Sequence, residues 1–182
     1  YSATLFASRV RDPVAVERDD DTYRLLNREG PITNTGLELL ATLRRGAFAA
    51  TGSYTYVRAR EEDHAGRRDV ALTPRHGAGV VGTWEAEGRG RLGVEVFHTG
   101  RQRLEANPYR AVSRPYLVVG VLAERRVGPL RVFVNVENLT DIRQTRWDPL
   151  VRPGPGADGR WTVDAWAPLE GRVVNGGVRL AF

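Results

Sequence analysis

Apolar and polar side chains alternate with a period of two through most of the chain, and no segment sustains a helical period. The cleanest case is Leu130 to Glu137, with Leu130, Val132, Val134 and Val136 on one side and Arg131, Asn135 and Glu137 on the other. Gly171 to Phe182 reads the same way, placing Val174, Gly176, Val178, Leu180 and Phe182 against Asn175, Gly177 and Arg179. Earlier strands are predicted at Tyr1 to Val10, near Asn34 to Arg44, up to about Val57, near His76 to Ala86 and around Leu92 to Val96. Tyr116 to Arg126 is apolar on both faces, which leaves its register open. The total is about eight strands, with helices expected only as short pieces inside loops.

The connections alternate as regularly as the side chains. Short turns follow the second, fourth and sixth strands, at Arg45-Gly46, Gly88-Arg89-Gly90 and Val127-Gly128-Pro129. Long polar segments follow the others: Arg11 to Pro31, Arg58 to Pro74, Gly100 to Arg114, and Thr140 to Glu170, all expected to be loops. Short turns at one end and long loops at the other distinguish an antiparallel up-and-down transmembrane β-barrel from a sandwich. Alternation alone does not say which face points inward. The aromatics Phe48, Tyr54, Tyr56, Trp84 and Phe182 lie on the apolar faces near strand ends, as interfacial girdles do. The apolar face is therefore predicted to meet lipid. The opposite face carries Glu38, Arg44, Glu85, Arg91, Glu95, Arg131, Glu137 and Arg179, both signs being present so that charges can pair. Its small residues Ser2, Gly79, Gly93 and Gly177 suit a wide lumen packed against another element.

Composition sharpens this picture at few points. Cysteine is absent, which removes disulfides and thiolate metal sites and fits an exported protein. All 27 basic residues are arginine, but they are dispersed rather than gathered on one element, so no nucleic-acid partner is expected. No apolar run approaches the ~20 residues of a membrane-spanning helix, a run that a barrel does not need. Tyr1 already stands inside an alternating segment, so the start reads as a cut through a longer chain.

The terminal pattern Asn175, Gly177, Leu180, Phe182 resembles the signal by which the barrel-assembly machinery recognises outer-membrane substrates. From Asn135 onward the chain resembles the C-terminal end of TonB-dependent outer-membrane receptors. Asn135, Asn138, Leu139, Thr140 and Asp141 match the family's N-x-x-N-L-[TF]-D segment, and Pro168, Gly171, Arg172 and Phe182 its P-x-x-G-R segment and final aromatic. Upstream, Asn34 to Leu39 resembles the family's recurrent N-x-G-x-E-x strand opening, and Gly52 to Tyr56 its small-then-tyrosine strand. The resemblance implies that residues 1–182 are the C-terminal section of a larger barrel of about 22 strands, its plug domain and earlier strands lying outside these residues. It further implies a bacterial outer-membrane location, contact with outer-membrane lipid, and uptake of a scarce ligand, a siderophore-like chelate of iron. Energy would come from the TonB complex, engaged through the missing N-terminal part. The alternative is a self-contained eight-stranded outer-membrane barrel serving as anchor or adhesin.

Neither an enzyme nor a cofactor is expected. His64, His76 and His98 stand in no evident relation to Ser53 or Ser113, and Asp63, His64 and Asp69 read as solvated loop residues more readily than as metal ligands. The acidic run Asp19 to Asp21 reads as solvated, with binding of divalent cations as its functional alternative. Ligand recognition is expected in the last loop. There Arg143, Gln144, Arg146, Trp147, Arg152, Trp161 and Trp166 join guanidinium groups to aromatic faces, a set suited to an anionic or aromatic chelate. The same tryptophans can equally anchor the loop or sit at the membrane interface.

Overall fold

In the computed structural model, residues 1–19, 22–28, 30–63 and 66–180 are described. Asp20, Asp21, His64 and Phe182 therefore lie outside the described residues. The strands are β1 (Ser2–Val10), β2 (Val14–Asp19), β3 (Thr22–Asn27), β4 (Ile32–Arg45), β5 (Phe48–Asp63), β6 (Gly66–Asp69), β7 (His76–Ala86), β8 (Gly90–Thr99), β9 (Tyr116–Val127), β10 (Leu130–Glu137) and β11 (Val173–Leu180). Eight of them form one antiparallel wall in the order β1-β4-β5-β7-β8-β9-β10-β11, with β6 added beside β5. These eight are the eight strands read from the alternation. Among the described residues β1 pairs only with β4 and β11 only with β10, so the wall is open and does not close into a small barrel of its own.

Two segments expected to be loops contain strands. Between β1 and β4, β2 and β3 form a separate hairpin. Strand β5 runs past Val57 to Asp63 and folds back as β6, pairing Arg60 with Asp69 and Glu62 with Arg67. The β5–β6 extension is polar on both faces, so no apolar alternation announces it; β2–β3 carries Val14, Val16, Tyr23 and Leu25 on one face, an alternation too short to stand out in a charged segment. The last long connection contains a single 3₁₀ turn, Gln144–Arg146.

Backbone pairing builds the turns as expected. Gly46 and Gly128 adopt φ of 57° and 60° in two-residue hairpins, the left-handed backbone that glycine enters without a Cβ clash. Every long connection leaves the opposite end of the wall.

Register aligns the apolar positions into continuous rows. One row runs Leu43, Ala50, Gly82, Val94, Val121, Val136, Val174 across seven strands. Leu43 and Val174 are 68% and 64% exposed, so the face they share is apolar and uncovered. Phe48 stands directly opposite Trp84 at the short-turn end. Near the other end Tyr54 hydrogen-bonds His76 Nδ1 at 2.8 Å, and the Tyr56 ring lies 5.2 Å from that imidazole. From Phe48 to Tyr56 the strand rises about 27 Å, or about 21 Å in height at a tilt of ~40°, close to the ~25 Å apolar band of an outer-membrane barrel.

The other face is polar and pairs its charges. Glu124, with a side chain 7% exposed, receives Arg131 at 3.2 Å and Arg91 at 3.6 Å from its two neighbouring strands. Thr42 and Thr51 hydroxyls meet at 3.1 Å. The small residues of this face are partly occupied from within the sheet. Phe97 lies over Gly79 and Phe133 over Gly177, where an added Cβ would meet the rings at 2.9 Å and 2.8 Å. Gly93 faces Leu122.

Candidate functional site

The wall has almost no core; the packed core lies in the connections above it. Leu104, Trp166 and Ala167 are buried together, with Tyr116 and Trp147 against them. Two segments meet there, 100–115 and 138–172, and the second is fastened at its root.

That root is built from the two motifs of the last third. Asn138 and Asp141 take φ of 48° and 53°, a left-handed backbone that Asn and Asp tolerate better than most residues. Asn138 Oδ1 accepts from Ile142 N–H at 2.9 Å, and Nδ2 donates to the carbonyls of Ile142 at 2.8 Å and Glu170 at 3.1 Å. Asp141 Oδ1 accepts from Arg172 N–H at 3.0 Å, while its other oxygen receives Arg146 at 2.8 Å and Arg143 at 3.2 Å. Arg172 returns two guanidinium hydrogen bonds to the Leu139 carbonyl, at 3.0 and 2.8 Å. Thr140 adds a bond to the Leu117 carbonyl of β9 at 2.9 Å. Gly171 allows this closure, because a Cβ there would meet Asp141 Oδ1 at 2.3 Å. The Arg172 N–H lowers the Asp141 pKa most; partial burial opposes it, and the guanidinium groups of Arg143, Arg146 and Arg172 lower it further.

Above the root, Gln144 is fully buried at 0% exposure and ties both limbs of the loop together. Its Oε1 accepts from Trp166 N–H at 2.8 Å and Ala167 N–H at 3.3 Å, and its Nε2 donates to the Asp164 carbonyl at 3.1 Å. Its own N–H donates to the Pro168 carbonyl. Trp147 and Trp166 stack at 5.3 Å with an 18° interplanar angle. Arg110, from the preceding connection, lies 5.6 Å over the Trp166 ring and grips the buried Asp148 through two nitrogens. Gln102 donates to the Trp166 carbonyl at 2.8 Å, so Trp166 is held from three sides.

The candidate residues thus separate by exposure. Gln144 and Trp166 are buried in the frame of the loop, and Trp147 packs against it. Arg143 and Arg146 have side chains 42% and 48% exposed while bracing Asp141, and Trp161 is 57% exposed. Arg152 crosses to the Ala106 carbonyl at 2.6 Å, joining the two connections. Arg143 Nε, Arg152 Nε and Trp166 Nε1 are buried without an acceptor among the described residues. The alternation did not single out Arg110, Asp148 or Gln102, because pairs distant in sequence leave no local signal.

A second cluster joins the other connections. Glu61, 5% exposed, receives Arg28, Arg68 and Arg103, the last two at 2.8 Å. Asp69 is engaged by Arg75 at 2.5 Å, and no cluster of three or more potential metal ligands occurs among the described residues. His76 is bonded to Tyr54, and the Ser113 hydroxyl accepts from Gln102 N–H at 3.1 Å.

In β11 the terminal pattern falls on both faces. Asn175 is opposite Asn135, Gly177 lies beneath Phe133 and Leu180 is opposite Leu130.

Comparison with known proteins supports the same architecture. Residues 1–139 match the family model described as TonB dependent receptor-like, beta-barrel. The ferric-catecholate import receptor Fiu of E. coli K12 superposes with a TM-score of 0.67 at 19% identity, over 99% of this chain and 25% of its own. The ferric yersiniabactin uptake receptor FyuA of Yersinia pestis gives 0.68 at 21% identity, over 99% and 27%. The ferric enterobactin receptor PfeA of Pseudomonas aeruginosa, in its G324V form, gives 0.66 at 18% identity, over 99% and 28%. The chain thus spans about a quarter of the length of these receptors. No curated protein sequence matches it. An open, antiparallel, apolar-backed wall with its long connections at one end, matched by the family model over most of its length, makes the chain a member of the TonB-dependent receptor β-barrel family.

Proposed function

We propose that this chain is the C-terminal section of the barrel of an outer-membrane receptor that takes up a ferric siderophore. Its apolar face would meet lipid and its polar face would line the lumen around a plug supplied by the rest of the protein. The energy-transducing TonB complex would act through that missing part, and β11 would carry the signal read by the barrel-assembly machinery. The receptor would not be an enzyme. The observation that carries the ligand reading is the exposed set Arg143, Arg146 and Trp161, presented by a loop whose root and interior are locked by hydrogen bonds. Fixed guanidinium groups and an exposed indole on the same loop suit a chelate with anionic oxygens and flat aromatic groups, and the fixed groups lose little entropy on binding. Siderophore receptors among the structural neighbours favour iron as the cargo.

The test uses the full-length receptor carrying Arg146→Ala and Trp161→Ala, with a panel of ferric catecholate and mixed-ligand chelates. One charged hydrogen bond and one stacking face together predict affinity lower by on the order of 10- to 100-fold for the transported chelate. Iron-limited growth on that chelate should fall in parallel. Unchanged binding across the panel, or iron-limited growth that does not depend on the receptor gene, would overturn the proposal.

A further inference from the structure

On the proposed lipid-facing side, directly above the Tyr54–Tyr56–His76 belt, the side chains change from apolar to cationic. The row Leu5, Leu37, Tyr56, His76 belongs to the belt. The next row outward is Ala7, Thr35, Arg58, and the one after it Arg9, Thr33, Arg60, Asp69. Arg67 on β6 shares this face and donates to Thr33 Oγ1 at 3.1 Å. Together Arg9, Arg58, Arg60 and Arg67, with Thr33 and Thr35, line a concavity of about 520 Å³ on the outside of the wall. Acidic groups nearby are few. Asp69 is taken up by Arg75 and lies 3.9 Å from Arg60, and the exposed Glu62 stands opposite Arg67 one row further out. Arg9, Arg58 and Arg67 have no acidic partner among the described residues.

Height decides what such a patch meets. With about 2.5 Å of height per residue in a tilted strand, Arg58 stands ~5 Å and Arg60 ~10 Å beyond Tyr56. Headgroups occupy roughly the 5–7 Å outside each side of the hydrocarbon core, so Arg58 stands at the level of lipid phosphates, and Arg9 and Arg60, one row further out, reach that level by bending their long side chains toward the membrane. Strands β1 and β5 flank β4, ~9.6 Å apart at ~4.8 Å per strand, and Arg9 and Arg58 are offset by ~6.8 Å along them, so their backbones stand ~12 Å apart and two extended arginine side chains can close on one phosphate between them. We infer that the concavity lined by Arg9, Arg58, Arg60 and Arg67 binds the phosphate of an outer-leaflet lipid headgroup, fixing a lipid molecule against the barrel wall. This rests on the reading above that the apolar face meets lipid.

The test uses the full-length receptor in lipid nanodiscs, with native mass spectrometry counting retained bisphosphorylated lipid A. The triple variant R9S/R58S/R67S should reduce its apparent affinity by on the order of 100-fold, at about tenfold per 1.4 kcal/mol and ~1 kcal/mol for each arginine removed. Arg126→Ser, at the short-turn end, should leave it unchanged. Retention of lipid A by the triple variant would overturn the inference, as would displacement of lipid A by millimolar inorganic phosphate, which would assign the site to a free anion. If the triple variant fails to insert, the unaltered receptor decides: it must prefer bisphosphorylated over dephosphorylated lipid A, and equal retention of both overturns the site. A single cysteine at Val80, mid-band on the apolar face, reports separately on the underlying reading. If it is shielded from a water-soluble maleimide while lipid A shows no phosphate preference, the lipid-facing wall stands and only this site is refuted.

Discussion

Replacing Gln144 with leucine is the sharpest perturbation of the last loop. The side chain is fully buried, leucine is similar in bulk, and the change therefore removes hydrogen bonds more than volume. The Trp166 and Ala167 amides lose their acceptor and the Asp164 carbonyl loses a donor. A buried polar group left unsatisfied costs about 1–3 kcal/mol, and the 3.3 Å bond to Ala167 contributes at the weak end. Rearrangement and entry of water recover part of the cost, leaving about 2–4 kcal/mol of local destabilisation. Hydrogen exchange on the full-length receptor should then show the Trp166 and Ala167 amides exchanging roughly 30- to 1,000-fold faster, at about tenfold per 1.4 kcal/mol. Amides of β10, which lie in the wall ladder, should keep their protection. Unchanged exchange at Trp166 and Ala167 would refute the role assigned to Gln144. Loss of protection spread through β10 would refute the separation of loop from wall.

Gly171→Ala should loosen the loop root, because its Cβ would collide with the Asp141 carboxylate; limited proteolysis should cut within 138–172 several times faster than in the unaltered protein. The lowered Asp141 pKa gives the root a pH dependence. Its contribution to holding the loop is present above the ordinary value of 3.8 and is lost as pH falls through the lower folded value, so proteolysis should accelerate only in acid. Asp141→Asn should remove that acid step, and a step of undiminished size in this variant would exclude Asp141 as its source. Deleting Phe182 or replacing it with serine should reduce outer-membrane assembly while synthesis continues; normal insertion, read from heat-modifiable gel migration, would count against the terminal-signal reading.

The eight wall strands were legible because each carries one apolar face, and burial in lipid imposes that on a membrane strand as strongly as a core does on a soluble one. The extension of β5 through Arg58, Ala59, Arg60, Glu61, Glu62 and Asp63 was not legible for the converse reason. Above the aromatic belt neither face would meet hydrocarbon, and selection for alternation disappears. The β2–β3 hairpin escaped notice for a different reason: Val14, Val16, Tyr23 and Leu25 do share a face, but each strand is only six residues long and stands in a charged segment. At the candidate site the residue types were legible and their roles were not. Gln144 and Trp166 read in sequence as ligand-facing groups among Arg143, Arg146 and Trp161. Only the folded chain distinguishes them, because Gln144 meets Trp166 across 22 residues and Gln102 meets it across 64. The root was partly visible, since Asn138, Asp141, Gly171 and Arg172 belong to recurring motifs, and their mutual bonds give those motifs a physical reason.

The division between wall and loops bears on how such a receptor can vary its ligand. A wall with hardly any buried core must take its stability from ladder hydrogen bonds, paired charges such as Arg131–Glu124–Arg91, and, on the proposed function, the lipid against its apolar rows. The loops draw on a separate source: the Leu104–Trp166–Ala167 cluster, the Arg110–Asp148 pair and Gln144. The root at Asn138, Asp141 and Arg172 joins these two bodies, and its bonds involve backbone groups or residues within the motif itself, none of them an exposed candidate apart from Arg143 and Arg146. Substitution at Trp161 can therefore alter the surface offered to a ligand without disturbing either the root or the wall. Substitution at Arg143 or Arg146 would change the proposed ligand surface and the field on Asp141 together. On the proposed ligand reading, these two arginines are where recognition and loop order would be coupled, and a ligand anion that draws their guanidinium groups away from Asp141 would loosen the root as it binds.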